Sequence, residues 1–218
     1  MYSLKSFIIS TIKLASKIYT YNFHLFILNK IDLIYSYWIK NFIPNASCSS
    51  FIGRGCTLVG GTNIIIGDHT RIRHYSVLTA ITEYFDQKFN PQILIGKYVD
   101  IGEYANITAT NRIVISDGVL VGRRVTISDN NHGCFTEEDL KKRPATRLVT
   151  SKGEIYIGAN VWIGDKATIL SGVRIGEGSI IAANTVVTKD IPAYSLVAGT
   201  PGVVIKKIDK KINLNGRN

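Results

Sequence analysis

Between Ile157 and Val187 an aliphatic residue returns at every sixth position: Ile157, Ile163, Ile169, Ile175, Ile181 and Val187. A small residue follows most of them, as in Ile157-Gly158, Ile163-Gly164, Ile175-Gly176 and Ile181-Ala182. A step of six fits neither the 3.6-residue helix nor the two-residue alternation of a strand. It fits a parallel β-helix, a prism in which each repeat is one short flat side. Aliphatic side chains that point inward stack from coil to coil into a continuous core. Each small residue then sits at a corner, where a side chain would crowd the turn.

The ladder begins near Ile52-Gly53 and steps to Leu58 and Ile64. It resets by two at Ile66-Gly67 and continues to Ile72 and Leu78. Residues 79–92 interrupt it with Tyr84, Phe85, Phe89 and Pro91. It resumes at Ile95-Gly96, Ile101-Gly102 and Ile107, shifts by two at Ile115, and runs through Val121-Gly122 to Ile127. Residues 128–153 interrupt it again. Insertions cannot enter a packed prism, so they leave at corners as loops, and a long loop in a compact repeat domain is often functional. The chain therefore reads as mainly β: a helical segment over residues 1–45, a β-helix over 46–191 with loops 79–92 and 128–153, and a basic extension over 192–218.

Residues 4–20 fit a helix, with Leu4, Ile8, Ile12, Ala15 and Tyr19 on one stripe and Lys5, Lys13 and Lys17 interleaved. A second helix runs from about Phe23 to Lys40 and is closed by Pro44. These helices cap the open end of the prism, which otherwise exposes strand edges, or rest on a membrane surface as interfacial helices; the two roles are compatible. Net charge is +10 and concentrates at the ends, +4 in residues 1–45 and +4 in residues 203–218. Basic ends suit anionic lipid, an acidic glycan or cofactor phosphates, and equally serve as solubilising charge. No nucleic-acid partner is expected. The uncharged run Ile18 to Asn29 is 12 residues, short of the roughly 20 that a membrane span needs. No leader pattern stands out, because Lys13 and Lys17 interrupt the first apolar stretch. Three scattered cysteines, Cys48, Cys56 and Cys134, make no disulfide framework and point to a reducing compartment. The expected location is the cytoplasm, at or near the inner face of the membrane. The segment from Val203 to Lys211 reads as a final strand or helix, and the last six residues as frayed.

The second interruption opens with Thr126-Ile-Ser-Asp-Asn-Asn-His132-Gly133. An imidazole where an ordered ladder gives way to a loop is well placed to accept a proton near neutral pH. A carboxylate or carbonyl usually orients such a base, and Asp129 and Glu154 are the near candidates in sequence. Asp129 can equally cap its own turn. Cys134, two residues on, is a candidate nucleophile only if a covalent route is used.

The stretches Ser128-Asp-Asn-Asn-His-Gly133, Ser151-Lys-Gly-Glu-Ile-Tyr-Ile-Gly158, Asn160-Val-Trp-Ile-Gly164, Val186-Val-Thr-Lys-Asp-Ile-Pro192 and Ala198-Gly-Thr-Pro201 resemble the hexapeptide-repeat acetyltransferases. The resemblance covers about residues 50–207 and is nearest to the cell-surface polysaccharide O-acetyltransferases, with galactoside and maltose acetyltransferases as cousins. It implies a left-handed parallel β-helix, a homotrimer with sites between neighbouring prisms, and direct transfer from acetyl-CoA. It casts His132 as the general base that deprotonates an acceptor hydroxyl. Trp162 would border the cofactor site with Gly164, Ala183, Thr188 and Lys189; for Trp162 the plain alternative is a core aromatic. Tyr104-Ala-Asn106 resembles a motif whose asparagines lie near the acceptor, which makes Asn106 a candidate contact, joined by Asp129 and Asn131. Where the family usually carries a cation after Gly-x-Pro-Ala, this chain has Gly199-Thr-Pro-Gly-Val203, so Lys206 or Lys207 is left to meet the nucleotide phosphates. The 128–153 loop, with Lys141, Lys142, Arg143, Arg147 and Lys152, is expected to cross the subunit boundary, and its charge suits an anionic glycan. The sequence leaves the role of the 79–92 loop open; one role open to it is the opposite wall of that cleft from another subunit.

Rival readings remain. The same base and cofactor site would serve N-acetylation of an amino sugar or transfer to another small molecule. A metal-binding β-helix resembling the γ-class carbonic anhydrases would use His69 and His74, which have the right spacing. It needs a third histidine at a coil position, and His24 sits in a helix instead, so no metal is expected.

Overall fold

The computed structural model describes residues 2–208, of residues 2 and 3 the backbone alone. Lys210, Lys211 and the last six residues lie outside the described residues. Two helices lead, α1 (Tyr2–Ile18) and α2 (Tyr21–Ile39). Thr20 begins the second, its hydroxyl accepting the Phe23 amide at 3.2 Å as an N-cap. A 3-10 turn (Lys40–Phe42) follows, and Ile43, 1% exposed, enters the core.

The body is a three-sided parallel coil. The first sheet stacks Phe51–Ile52, Arg71–Ile72, Asp100–Ile101, Leu120–Val121, Trp162–Ile163, Ile180–Ile181 and Ser195–Ala198. The second stacks Thr57–Val59, Val77–Ala80, Asn106–Ala109, Thr126–Ser128, Thr168–Ile169 and Val186–Val187. The third stacks Ile64–Ile66, Gln92–Ile95, Arg112–Ile115, Ile155–Ile157 and Arg174–Ile175. Neighbours within these stacks pair in parallel, with the ladder residues in register: Ile107 with Leu78 and Ile127, and Ile163 with Val121 and Ile181. These residues are fully buried and form the core.

The shifts by two have a simple cause. Ile163 pairs with Ile181, eighteen positions on, which is three sides of six. Ile101 pairs with Val121, twenty positions on. The extra two residues sit in the third sheet, where Ile64 and Ile66, Ile93 and Ile95, Ile113 and Ile115, and Ile155 and Ile157 each place two aliphatics inward on one longer strand.

The corners separate two demands that the sequence reading combined. The residue after the aliphatic faces the next coil: a Cβ on Gly164 would lie 2.6 Å from the Ala183 nitrogen. The left-handed backbone comes two residues later and is carried by glycine at some corners, Gly118 and Gly178 among them, and by side-chain-bearing residues at others, Asn160, Lys166 and Asn184 among them, with φ of 55°, 60° and 59°. Asn tolerates this region better than most residues.

Both ends of the prism are covered. At the start, α2 lies over the first coil, and the Ser36 hydroxyl accepts the Ile52 amide at 3.0 Å. Asp32 pairs with Arg54 and with His74 Nε2, and the Lys40 ammonium donates to the carbonyls of Cys48 and Ser50. The coil runs past the expected end at 191, since Ser195–Ala198 still pairs in parallel with Ile180–Ile181 and buries Val197, and at the far end the Val203–Lys207 strand of the basic extension folds back antiparallel on it. Backbone edges that would otherwise template further pairing are thereby engaged.

Candidate active site

The second interruption leaves the prism at the end of Thr126–Ser128. Strand alternation turns Ile127 inward, Ser128 outward and Asp129 inward again. Asp129 is 0% exposed. Its Oδ1 accepts the Thr110 amide at 2.8 Å and the Asn130 side-chain amide at 3.2 Å, and its Oδ2 accepts the Asn111 amide at 2.9 Å. Its carbonyl accepts the Ser171 hydroxyl at 2.7 Å. Asp129 therefore anchors the exit of the loop, the turn-capping role open to it in the sequence, and its side-chain hydrogen bonds run to Thr110, Asn111 and Asn130 and not to His132. Glu154 is engaged elsewhere as well: the hydrogen bond from Arg174, then that from Arg112, holds its carboxyl below the ordinary range.

Beyond this anchor Asn131–His132 pairs antiparallel with Val149–Thr150, which puts the imidazole on a two-stranded arm. His132 is exposed, and among the described residues its ring has no hydrogen-bond partner. The Tyr84 ring meets it edge-on, centroids 5.4 Å apart. His132 and Asn131 line a hollow of about 460 Å³ with Phe135, Leu140, Arg147 and Ser151. The loop is less basic than its cations suggest. Within 128–153 the acids Asp129, Glu137, Glu138 and Asp139 leave a net +1, and in α3 (Glu137–Lys141) and just beyond it Lys141 and Lys142 pair with Glu137 and Glu138. The loop's charge therefore gives little support to an anionic acceptor.

Trp162 lies elsewhere. It is 51% exposed on the outer face of the first sheet, so it is no core aromatic. It lines a separate hollow of about 340 Å³ with Arg73, Asp100, Glu103, Arg123 and Asp165. Gly164 is a buried corner whose role is close coil contact. Ala183, Thr188 and Lys189 are exposed at corners, and Lys206 and Lys207 are exposed on the terminal strand opposite Leu196 and Ser195. Asn106 is exposed on the second sheet, in register with Thr126, and accepts the Thr108 hydroxyl at 3.1 Å. One copy of the chain thus brings Asn131 and His132 together but places Trp162 in a different hollow. A larger hollow of about 630 Å³ over the third sheet holds no free base: its Asp117 accepts the Lys97 amide and its Glu177 the Tyr194 hydroxyl. His69 stacks on Tyr98, His74 meets Asp32, and His24 meets the Tyr19 hydroxyl, and among the described residues no three such side chains gather as a metal site would require.

The sequence pattern of the bacterial transferase hexapeptide family (six repeats) matches residues 154–189. A protein of Escherichia coli, WbbJ, named as a candidate O-acetyl transferase of lipopolysaccharide biosynthesis, is 31% identical over 125 residues, which is 56% of this chain and 64% of WbbJ. The chain thus spans less than two thirds of the first of its relatives. A protein of Lysinibacillus sphaericus named as a candidate macrolide acetyltransferase is 36% identical over 132 residues, covering 60% of this chain and 69% of that protein. The chain belongs to the hexapeptide-repeat transferases. Among solved structures, a hexapeptide-repeat acetyltransferase of Vibrio cholerae complexed with acetyl coenzyme A superimposes with a TM-score of 0.57 at 25% identity, covering 85% of this chain and 82% of that one.

In this hexapeptide transferase the first interruption supports the second within one chain. Residues Glu83–Tyr84 and Gln87–Lys88 form a hairpin. The Tyr84 hydroxyl donates to the Ala145 carbonyl at 2.7 Å. The Gln87 side chain accepts the Val149 amide at 2.7 Å and donates to the Val149 carbonyl at 3.0 Å. Sequence reading missed Tyr84 and Gln87 as neighbours of His132. A signal existed: both interruptions leave at the same corner, after Val77–Ala80 and after Thr126–Ser128 of the second sheet. Replacing Gln87 by alanine removes both bonds to the arm. The Val149 amide should then exchange with solvent roughly tenfold faster, measured by native-state hydrogen exchange.

Proposed function

We propose that this chain is an acetyl-CoA-dependent O-acetyltransferase acting on a sugar hydroxyl of a surface glycan or its precursor. The observation that carries the reading is His132: an exposed imidazole with no hydrogen-bond partner among the described residues, held over an open hollow by an anchored arm, in a chain whose relatives are named as acetyltransferases. In this reading the acceptor hydroxyl gives its proton to the free imidazole nitrogen as its oxygen attacks the thioester carbonyl. The tetrahedral intermediate collapses, the C–S bond breaks, and the imidazolium returns the proton to the departing thiolate. Cys134 takes no covalent part.

The coil is left-handed in this reading and three copies assemble. Since one copy keeps His132 and Trp162 apart, a site that uses both draws them from neighbouring copies. Ala183, Thr188 and Lys189 line the coenzyme groove, and Lys206 and Lys207 act as point charges on its phosphates. Acetyl-CoA as donor places the reaction in the cytoplasm. A second reading, transfer to a less polar small molecule, draws on Phe135, Leu140 and Leu148, which are 95%, 50% and 61% exposed on the loop that carries His132.

The test is turnover of labelled acetyl-CoA by the purified protein against nucleotide sugars, glycan fragments and a macrolide. A base-labile acetyl ester on a sugar is expected. A macrolide ester would favour the second reading, a base-stable amide would favour N-transfer, and no turnover on any acceptor counts against the proposal. Mixing His132→Ala and Trp162→Ala copies should restore part of the activity that each lacks, and failure to do so removes the shared site.

A further inference from the structure

Helix α2 is built inside out. The face it turns to the protein carries its buried polar residues, Asp32 and Ser36, engaged with Arg54, His74 and the Ile52 amide. The opposite face is apolar and bare: Phe23, Phe26, Ile34, Tyr37 and Trp38 are between 48% and 71% exposed. Helix α1 is exposed at every described side chain. Leu4, Phe7, Leu14 and Ile18, between 64% and 82% exposed, fall on one side at helical spacing. Lys5, Lys13 and Lys17 fall on the other, with Ser6, Ser10 and the exposed Ile9, while the exposed Ile12 lies beside Lys5.

An apolar surface of this extent marks a contact site. No helix among the described residues is long and apolar enough to cross a membrane. The charges indicate what covers the surface. The only acid in residues 1–45 is Asp32, which is buried, so the exposed ionised groups are lysines: Lys5, Lys13 and Lys17, with Lys30 lying over the Phe26 ring at 5.3 Å. Two copies meeting through these faces would bring like charges together, whereas an anionic lipid surface supplies the opposite charge. Tyr37 and Trp38 on the apolar face suit the headgroup level of a bilayer.

We propose that α1 and the outer face of α2 lie in the plane of a membrane surface, docked on anionic phospholipid. The proposal does not depend on the reaction described above. It is tested with the full chain and sedimented vesicles, of phosphatidylcholine alone and with a third of the lipid as phosphatidylglycerol. Binding to the anionic vesicles is expected, with the neutral ones weaker by at least about tenfold. Replacing Lys5, Lys13 and Lys17 together by glutamine should weaken anionic binding roughly a hundredfold. Phe7→Asp with Leu14→Asp should abolish it without moving the unfolding temperature, because α1 lends nothing to the coil core. Equal binding to both vesicles, or none to the anionic ones, overturns the proposal. So would aspartate variants that change the sedimentation coefficient yet still bind vesicles, which would assign the face to a second copy.

Discussion

Replacing His132 by alanine is expected to lower acetyl transfer by at least about a hundredfold while leaving acetyl-CoA affinity nearly unchanged. The imidazole stands on an arm outside the packed prism, so its loss opens no cavity and removes no hydrogen bond that the fold uses. The proposed coenzyme groove lies along Trp162, Ala183 and Lys189, which the substitution does not touch. The loss should therefore appear in kcat/KM for the acceptor, measured with purified protein, while titration calorimetry with acetyl-CoA reports the wild-type affinity. A hydroxyl must shed its proton as it attacks, and in the proposed mechanism the His132 imidazole lining this hollow receives it. Cys134 offers the one competing route, and Cys134→Ser separates the two: direct transfer predicts near wild-type turnover, a covalent route a loss comparable to that of His132→Ala. Near wild-type transfer by His132→Ala would remove the base assignment.

The prism was legible because its core is one-dimensional: each inward residue has a partner one coil away, and the period of that contact is printed in the chain as six. The shifts at Ile66 and Ile115 were visible but not their meaning, because the third sheet admits a second inward residue without breaking register. The site was legible only in part. His132 stood out as a base at a break in order, yet the run Asp129-Asn-Asn-His132 does not announce which side chain faces the core. Strand parity carried on from Ile127 does, and it turns Asp129 inward. The contact of Tyr84 and Gln87 with the arm joins segments some sixty positions apart. It follows from counting coils, since two loops leaving one corner two coils apart become neighbours. The inversion of α2 was hidden for a different reason. Its apolar residues run all around the helix, so periodicity alone could not choose a face, and the choice is made by where Arg54 and His74 wait for Asp32.

Asp129→Ala should lower stability by about 3 kcal/mol, the next largest effect expected of a single substitution here. The carboxylate is fully buried and accepts two backbone amides, those of Thr110 and Asn111, where the neighbouring coil turns from the second sheet to the third. Alanine leaves both amides in a space that water enters poorly, and each unsatisfied group costs about 1–3 kcal/mol. For a chain of this size the unfolding midpoint should fall by roughly 10 °C. Asp129→Asn distinguishes this anchoring role from an orienting one. An asparagine presents one oxygen and one NH2 group, so it can accept one amide but must point a donor at the other. Thermal unfolding should therefore show a loss of at least half that of alanine, with kcat at saturating acceptor largely kept below the new midpoint. Were Asp129 instead the carboxylate that aligns His132, the asparagine variant would lose kcat and keep its unfolding temperature. The buried bonds to Thr110 and Asn111 favour the first outcome, because the groups that meet this carboxylate belong to the coil beneath the loop and not to the hollow above it.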